Sequence, residues 1–282
     1  MKAGFWVAPE GEDAAVTVTP IAVEPVERMK KISLLATAAA EETIRRCRRT
    51  AALLPELIDA LARQKAASRN CLFDITDFGA DDRALVDDVL GEGEVAGVAA
   101  LPNGLTAQIQ EAVMAGLWRV RFTDASGAFR ADYIEVGAIP EVVREACAGL
   151  SNELVLGEAP AEAMNVMPVL AEIGDRMARW RPGDPAHTIT FSLLPMTPAD
   201  MDFLQATLGV GPVRLVSRGY GFCRVVSTSA RNVWSVQFAN AMDAVVLDTL
   251  EIGDVPAVAL AADEDFADSA ARLREIEEAY FR

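Results

Sequence analysis

The sequence is poor in the residues on which most catalytic and metal sites depend. It has one histidine, His187, and four cysteines among 282 residues. The cysteines are widely spaced and form no C-x-x-C pair: Cys47, Cys71, Cys147 and Cys223. This spacing excludes the usual zinc and disulfide-oxidoreductase motifs. A lone histidine at a predicted strand start, with no serine or cysteine motif beside it, favours a structural role.

Long apolar runs and an excess of positive charge are also lacking. No stretch reaches the roughly 18 apolar residues of a membrane span, and residues 1–6 lack the apolar core of a signal peptide. Acidic residues outnumber basic ones by 42 to 26, and the net charge of −16 disfavours nucleic acid and anionic membranes as partners. We therefore expect a cytoplasmic protein that inserts into no membrane and has reduced, mostly buried thiols.

The sequence does contain an internal similarity at a fixed spacing. The stretch 117–122, which includes Trp118, recurs 116 residues later as the stretch 233–238, which includes Trp234. The match continues forward without a gap as far as Pro140 and Pro256. Similarity at a fixed period over this length indicates two copies of one structural unit. Trp118 and Trp234 are therefore predicted to occupy equivalent buried positions in the core of the repeat.

Strands and helices segregate within each copy, which predicts an α+β fold. The predicted architecture is two tandem repeats of a helix–strand–helix–antiparallel-sheet unit. The expected boundaries are 1–69 for an N-terminal arm and helices, 70–148 for the first repeat, 149–160 for a linker, and 161–282 for the second repeat with a C-terminal helix.

Several local patterns give more specific predictions. Apolar and charged residues alternate in 117–122, which predicts a half-buried strand with Trp118, Val120 and Phe122 on the core face. A Gly-x-Gly pair follows a predicted helix in each copy, so a helix-ending turn explains it better than a dinucleotide-binding loop. Pro55 is expected to divide 27–64 into two helices, and 187–193 is predicted to be a strand.

Two further patterns leave a choice open. The arginine cluster is either a solvated helix face or a partner-binding patch: Arg45, Arg46, Arg48 and Arg49. A stripe at helical spacing is either core or the lining of a cofactor or partner groove: Met164, Met167, Leu170, Ile173, Met177 and Trp180.

The most unusual stretch is 217–224, in which two glycines flank a tyrosine. Tyrosine and arginine are enriched at protein interfaces, so this stretch supplies the candidate partner-binding residues: Arg218, Tyr220, Phe222 and Arg224. Cys223 is the candidate reactive thiol. The competing interpretation is a strand-to-strand turn with a buried thiol.

These stretches and several others resemble, in order along the chain, the hydrogenase expression/formation proteins known as HupH, HoxQ and HyaF. The similar stretches are 90–95, 109–113, 116–121, 219–221, 233–234, 256–258 and 268–273. The resemblance covers roughly residues 70–280, and the first seventy residues match poorly.

The resemblance implies an accessory role in the maturation of an uptake [NiFe] hydrogenase. The implied partner is the precursor of the iron–sulfur small subunit, bound during cluster assembly before export, with other maturation factors as further partners. It supplies no catalytic residue, and we expect no resident cofactor or metal. The alternatives are a redox or sulfur-handling enzyme that uses Cys223 or Cys71, and a metallochaperone that carries iron or a cluster.

Overall fold

A computed structural model describes residues 45–219, 221–240, 242 and 244–281. The arm and short strand expected within 1–26 lie outside the described residues, and so do residues 27–44. The α-helices of the described part are α1 (Arg48–Arg63), α2 (Ala80–Leu90), α3 (Glu141–Cys147), α4 (Val166–Arg179), α5 (Pro198–Leu208) and α6 (Asp263–Tyr280). Its strands are β1 (Cys71–Asp74), β2 (Val95–Ala100), β3 (Thr106–Glu111), β4 (Leu117–Thr123), β5 (Phe129–Val136), β6 (His187–Thr190), β7 (Val213–Ser217), β8 (Phe222–Ser227), β9 (Val233–Ala239) and β10 (Val245–Ile252).

The chain divides into two compact units. The described residues of the first unit are 45–96, 104–141 and 260–281, and those of the second fall within 97–103 and 142–259. Each unit combines helices with antiparallel strands, so the predicted α+β class is confirmed.

The first unit pairs its strands antiparallel in the order β1-β5-β4-β3. One face of this sheet carries Leu117, Ile134 and Val136, which pack against apolar side chains of α1, α2 and α6. Burying this face removes apolar surface from water and supplies most of the driving force for folding the unit.

The second unit pairs its strands antiparallel in the order β7-β8-β9-β10-β6. At the end of β2, the Ala100 amide donates to the Pro212 carbonyl beside β7 at 3.0 Å. Helices α4 and α5 cover one sheet face. The main core residues are Val166, Leu170, Ile173, Leu204, Leu208, Val233, Leu250 and Ile252.

Strand register repeats at the spacing found in the sequence. Trp118 pairs with Glu135 in the first unit, and Trp234 pairs with Glu251 in the second. At the sheet edges, Cys71 pairs with Val136 and His187 pairs with Ile252. In both comparisons, each residue of the second unit lies 116 positions after its counterpart in the first unit. The same pairing scheme in both halves supports the predicted internal repeat.

The two Gly-x-Gly pairs have a structural explanation. Gly91 and Gly209 end α2 and α5 with φ values of 59° and 60°, a backbone region that glycine adopts without strain. A Cβ on Gly93 would lie 2.1 Å from the Ala112 carbonyl oxygen, and one on Gly211 would lie 2.2 Å from that of Thr228. The prediction of helix-ending turns is therefore confirmed.

Two predicted element boundaries are wrong. Pro55 lies inside the single helix α1 and does not divide it. Its missing hydrogen bond is offset by the buried face of α1, which includes Leu54, Leu57 and Leu61. The strand predicted over 187–193 ends at Thr190 and continues as a 3₁₀ turn, Phe191–Leu193.

The C-terminal helix α6 belongs to the first compact unit. Phe266 and Leu273 are buried in the same core as Leu57 of α1, and the Ser269 hydroxyl donates to the Ala115 carbonyl at 2.8 Å. This differs from the expected second unit of 161–282, which included this helix. A terminal helix can pack against either half of the chain, so its position in the sequence does not identify the unit to which it belongs.

Candidate partner-binding surface of the second unit

Two hairpin turns of the second unit lie at the same end of its sheet. Ser217 pairs with Cys223 where β7 turns into β8. Ala239 pairs both with Phe222 at the start of β8 and with Val245 at the start of β10. The β7–β8 and β9–β10 turns therefore adjoin. Of the described candidate partner-binding residues, Arg218 lies in the first turn, and Phe222 and Arg224 lie at the start of β8.

Three of these candidates are described. Arg218 and Arg224 are exposed, and Phe222 is half-buried. The Arg224 guanidinium lies over the Phe222 ring, 5.1 Å from its centroid. A stacked arginine at an exposed site is stabilised by about 0.5–1 kcal/mol. The stacking restricts the guanidinium, and within the described residues no hydrogen bond or ion pair uses its N–H donors.

Tyr220, the fourth candidate, lies outside the described residues. Its role as an exposed anchor remains a prediction from the sequence.

Sequence reasoning missed the apolar side chains of the neighbouring turn. Met242 is 83% exposed and Val246 is 63% exposed. The turn itself is ordered by Asn240, whose Oδ1 accepts from the amides of Met242 and Ala244 at 2.9 and 3.1 Å. We call the residues Arg218, Phe222, Arg224, Met242 and Val246 the hairpin end.

Comparison of the two repeats could have identified this surface from the sequence. The turn equivalent to 240–246 in the first repeat is 124–130, so Arg130 stands where the second repeat has Val246. The Asp124 carboxylate accepts from Ser126, Ala128 and Arg130. The first unit thus has Arg130 paired with Asp124 at this turn. The hairpin end instead exposes Met242 and Val246 beside two exposed arginines.

Cys223 is 4% exposed, and its thiol lies 3.9 Å from the Arg224 carbonyl oxygen. Burial, assisted by the negative charge of Glu251, raises the pKa of the Cys223 thiol to about 12. Burial likewise raises the pKa of Cys147 to about 11. Both thiols are neutral at physiological pH and are poor nucleophiles. Three of the four cysteines are buried and Cys71 is half-buried, which confirms that the thiols are mostly buried.

The two predicted core tryptophans are buried, Trp118 with 0% and Trp234 with 3% of its surface exposed. They lie in the equivalent strands β4 and β9. The Trp118 indole nitrogen donates to the Gly137 carbonyl at 2.8 Å. The Trp234 indole nitrogen has no hydrogen-bond partner within the described residues.

The prediction that β4 is buried on one face only is wrong. Trp118 and Val120 are buried as predicted, but Phe122 is half-buried and Arg119 is only 5% exposed. Arg119 donates to both carboxylate oxygens of Asp132, at 3.0 and 2.7 Å, and its remaining nitrogen contacts Asp87. Because two carboxylates neutralise it, this arginine is tolerated beneath α2.

The remaining candidates have structural contacts. His187 pairs with Glu172 at 2.7 Å, which ties the start of β6 to α4. In the arginine cluster, Arg46 pairs with Asp81 at 2.6 Å and Arg49 with Asp77 at 2.7 Å. Arg46 and Asp81 also line an open groove of about 640 Å³. These exposed ion pairs fit a solvated helix face.

The predicted stripe on α4 is correct only in part. Leu170 and Ile173 are buried, whereas Met164 and Met167 are exposed. Helix α4 begins at Val166, so Met164 precedes it, and the buried face runs through Val166 and Val169 instead.

Among the described residues, no group of three or more histidine, cysteine or acidic side chains could hold a metal ion. None of the helices in the described part combines the length and apolarity needed to cross a bilayer.

Comparison with known proteins places the chain in a class. Residues 49–153 and 163–280 match the family described as HupH hydrogenase expression protein, C-terminal conserved region. The chain is 69% identical over 282 residues to the hydrogenase expression/formation protein HupH of Rhizobium leguminosarum bv. viciae, covering 100% of both chains. It is 43% identical over 228 residues to the hydrogenase expression/formation protein HoxQ of Cupriavidus necator, covering 79% of each. It is 33% identical over 229 residues to the hydrogenase-1 operon protein HyaF of Escherichia coli, covering 80% of this chain and 79% of that one.

The class is therefore that of proteins named for the expression and formation of hydrogenases. Within it, the chain belongs to the HupH hydrogenase expression protein family. The expectation that the first seventy residues match poorly needs correction. The match to the family model begins at residue 49, and the Rhizobium protein aligns along the whole chain.

Proposed function

We propose that this chain acts in hydrogenase maturation as a cytoplasmic chaperone for the precursor of the iron–sulfur small subunit. It holds the precursor during cluster assembly, before export, and other maturation factors are further partners. Membership of the hydrogenase expression protein family supports the role in maturation. In this proposal the protein works by binding and catalyses no reaction, in keeping with relatives that are named for expression and formation rather than for an enzymatic activity.

The hairpin end is the proposed contact surface. The observation that carries this proposal is the combination of exposed apolar side chains with two exposed arginines, Arg218 and Arg224, for which no ion pair is found within the described residues. Such a mixture is typical of the centre of a protein interface, where aromatic residues, methionine and arginine are enriched.

The charge of this region points to the chemistry of the contact. Residues 217–224 contain two arginines and no acidic residue, and residues 239–247 contain one acidic residue, Asp243, in a chain whose net charge is −16. A local positive potential on an acidic protein attracts an apolar segment that carries carboxylates and repels basic surfaces. The precursor is therefore expected to present acidic and apolar side chains here.

Binding of the purified small-subunit precursor to variants of the full chain tests the proposal. Tyr220→Ala should weaken the complex by about 2 kcal/mol, or roughly 30-fold in Kd, if Tyr220 is an anchor. Arg218→Ala should weaken it in the same direction, because an exposed donor to the partner is lost. Neither change should alter the melting temperature appreciably, since exposed side chains contribute little to the core.

Arg130→Ala is the matched control, because Arg130 lies at the corresponding turn of the first repeat. This variant should bind the precursor as the parent chain does. Unchanged affinity in well-folded Tyr220→Ala and Arg218→Ala variants would exclude the hairpin end as the contact surface. A fall in melting temperature with intact affinity would instead support a purely structural turn.

The alternative function, a thiol-dependent redox or iron–sulfur-handling protein, predicts a reactive cysteine. The raised pKa of Cys223 argues against this role for that residue, since a neutral thiol neither attacks nor ligates readily. Cys71, half-buried on β1, is the better remaining candidate. Titration of the native protein with a thiol reagent should modify Cys71 before Cys223.

A further inference from the structure

A second surface of the second unit lies where the start of α4 meets the segment 193–197. The Asn165 side-chain amide donates to the Pro195 carbonyl at 2.8 Å. The Asn165 backbone amide donates to the Asp200 carboxylate at 2.7 Å. These bonds hold the two segments side by side. We call the apolar residues of this place, Met164, Met167, Leu193 and Met196, the methionine corner.

The methionine corner is unusually exposed. Met164 is 77% exposed, Leu193 is 81% exposed and Met167 is 39% exposed, while Met196 is half-buried. Grouped apolar side chains on a protein surface mark interaction sites more often than single ones do. Methionine is flexible and polarisable, so a surface rich in it adapts to apolar segments of differing shape.

The charged side chains nearest to this corner along the sequence are all acidic. Residues 145–175 and 182–213 contain no lysine or arginine. Glu158, Glu162 and Asp202 are exposed, and no ion pair for them is found in the described part of the chain. Glu162 adjoins the corner, because its carbonyl accepts from the Thr197 hydroxyl at 3.4 Å. Asp202 lies two residues after Asp200 on α5. We call Glu158, Glu162 and Asp202 the acidic rim.

The first repeat shows that the fold does not require this surface. At the equivalent corner, Arg49 donates to the Asp77 carbonyl at 2.9 Å, as Asn165 does to that of Pro195. The Arg49 guanidinium also covers the Phe78 ring at 4.3 Å. Arg46 and Arg48 of the first repeat stand where the second repeat has Glu162 and Met164. The same backbone corner is therefore basic and covered in one repeat, and acidic and apolar in the other.

We propose that the methionine corner is a docking surface for a segment of a partner protein that is apolar and flanked by lysine or arginine. An amphipathic helix with basic residues beside its apolar face meets both requirements, because its apolar face fits the methionines and its cations meet the acidic rim. A second copy of this chain does not, since it would bring two acidic rims together. The inference is independent of the proposed contact at the hairpin end.

The test uses the full chain and a synthetic, fluorescently labelled amphipathic peptide of about 18 residues built from leucine and lysine. Its partner probe has glutamate in place of every lysine. Fluorescence anisotropy should show saturable binding of the leucine–lysine peptide. The leucine–glutamate peptide should bind at least about tenfold more weakly, because the acidic rim repels it.

Two pairs of variants assign the binding to this corner. The double variant Met164→Glu with Leu193→Glu should lose at least about tenfold in affinity, whereas Leu72→Glu should not, although Leu72 is 59% exposed on β1. The reversal Glu162→Lys with Asp202→Lys should also weaken binding of the leucine–lysine peptide. The matched reversal Glu56→Lys with Asp59→Lys, on exposed positions of α1, should leave it unchanged.

Several results would overturn the inference. These are absence of saturable binding, equal binding of the two peptides, or equal losses in the corner variants and their controls. A concentration-dependent dimer that the peptide dissociates would also overturn it, because a second copy would then be the occupant. Thermal unfolding of each variant shows that a loss of binding comes from a folded protein.

Discussion

At the scale of single residues, Trp118 and Trp234 occupy equivalent positions but make different hydrogen bonds. Trp118 donates to the Gly137 carbonyl, whereas the Trp234 indole nitrogen is buried with no partner within the described residues. Replacing either with alanine should cost about 3–5 kcal/mol of unfolding free energy. Phenylalanine keeps most of the apolar ring and so isolates the hydrogen bond.

Trp118→Phe should therefore destabilise the protein more than Trp234→Phe, by about 1–3 kcal/mol. The first change leaves the buried Gly137 carbonyl without its donor. The second removes a donor for which the described part of the chain offers no acceptor. Urea unfolding of the two variants gives the difference in unfolding free energy. Equal losses, or a larger loss for Trp234→Phe, would contradict the assigned hydrogen bonds.

Glu111 is a second residue whose environment predicts a measurable effect. Burial raises the pKa of its carboxyl from 4.5 to about 7, although hydrogen bonds from Gly116 and Val95 lower it. Between these two pKa values the folded state binds more protons than the unfolded state. Glu111 thus lowers the stability progressively as pH rises from about 4.5 to 7.

Glu111→Gln removes this titration, so the variant should gain stability relative to the parent chain as pH rises over that interval. Glu56→Gln is the control, because Glu56 is exposed on α1 and is not among the groups that shift the pKa of Glu111. Melting temperatures measured from pH 4 to 8 give the comparison. Parallel pH profiles for Glu111→Gln and the parent chain would show that Glu111 does not titrate in this way.

At the scale of elements, one carboxylate joins two helix starts in each unit. Asp200 accepts from the amides of Asn165 and Val166 at the start of α4. It also accepts from the amide and hydroxyl of Thr197, which begins α5. In the first unit Asp82 accepts from the amide and hydroxyl of Thr50 in α1. The N-cap position of α2 is Gly79, so Asp82 lies within the first turn of its own helix.

Asp200→Ala should destabilise the protein by at least about 2 kcal/mol, since caps of two helices are lost together. Burial raises the pKa of Asp200, but its hydrogen bonds lower it further, to about 2. The stabilisation is therefore present above pH 4 and is lost as pH falls towards 2. Asp202→Ala, on an exposed position of the same helix, should have little effect. Similar melting temperatures for the two variants would refute the shared cap.

The sequence predicted the elements well because the repeat supplied each pattern twice. Trp118 and Trp234 marked equivalent strands, and the two Gly-x-Gly pairs marked the ends of α2 and α5. Burial of Arg119 could not be predicted, since it depends on Asp132 and Asp87 from other elements. The exposure of Met164 was missed for a related reason: helical spacing does not show that α4 begins two residues later.

At the scale of the whole molecule, the two halves share a strand-pairing scheme, and their surfaces differ at corresponding positions. The hairpin end exposes Arg218 and Arg224 beside apolar side chains. The methionine corner exposes Met164 and Leu193 within an acidic rim. One apolar surface is flanked by arginines and the other by acidic residues. This difference fits a protein that binds partner segments of opposite charge. Family membership sets the expected context, the maturation of a hydrogenase.

The central claim is that the chain holds the hydrogenase small-subunit precursor through the hairpin end. The most direct measurement is affinity capture by the full chain from cells that produce the hydrogenase, with each captured polypeptide identified by mass spectrometry. We predict that the parent chain captures the small-subunit precursor with its export signal still attached. Capture should fall strongly for Arg218→Ala with Arg224→Ala and remain for Arg130→Ala. Recovery of the large subunit alone, of no hydrogenase polypeptide, or of equal precursor by all three chains would contradict the claim.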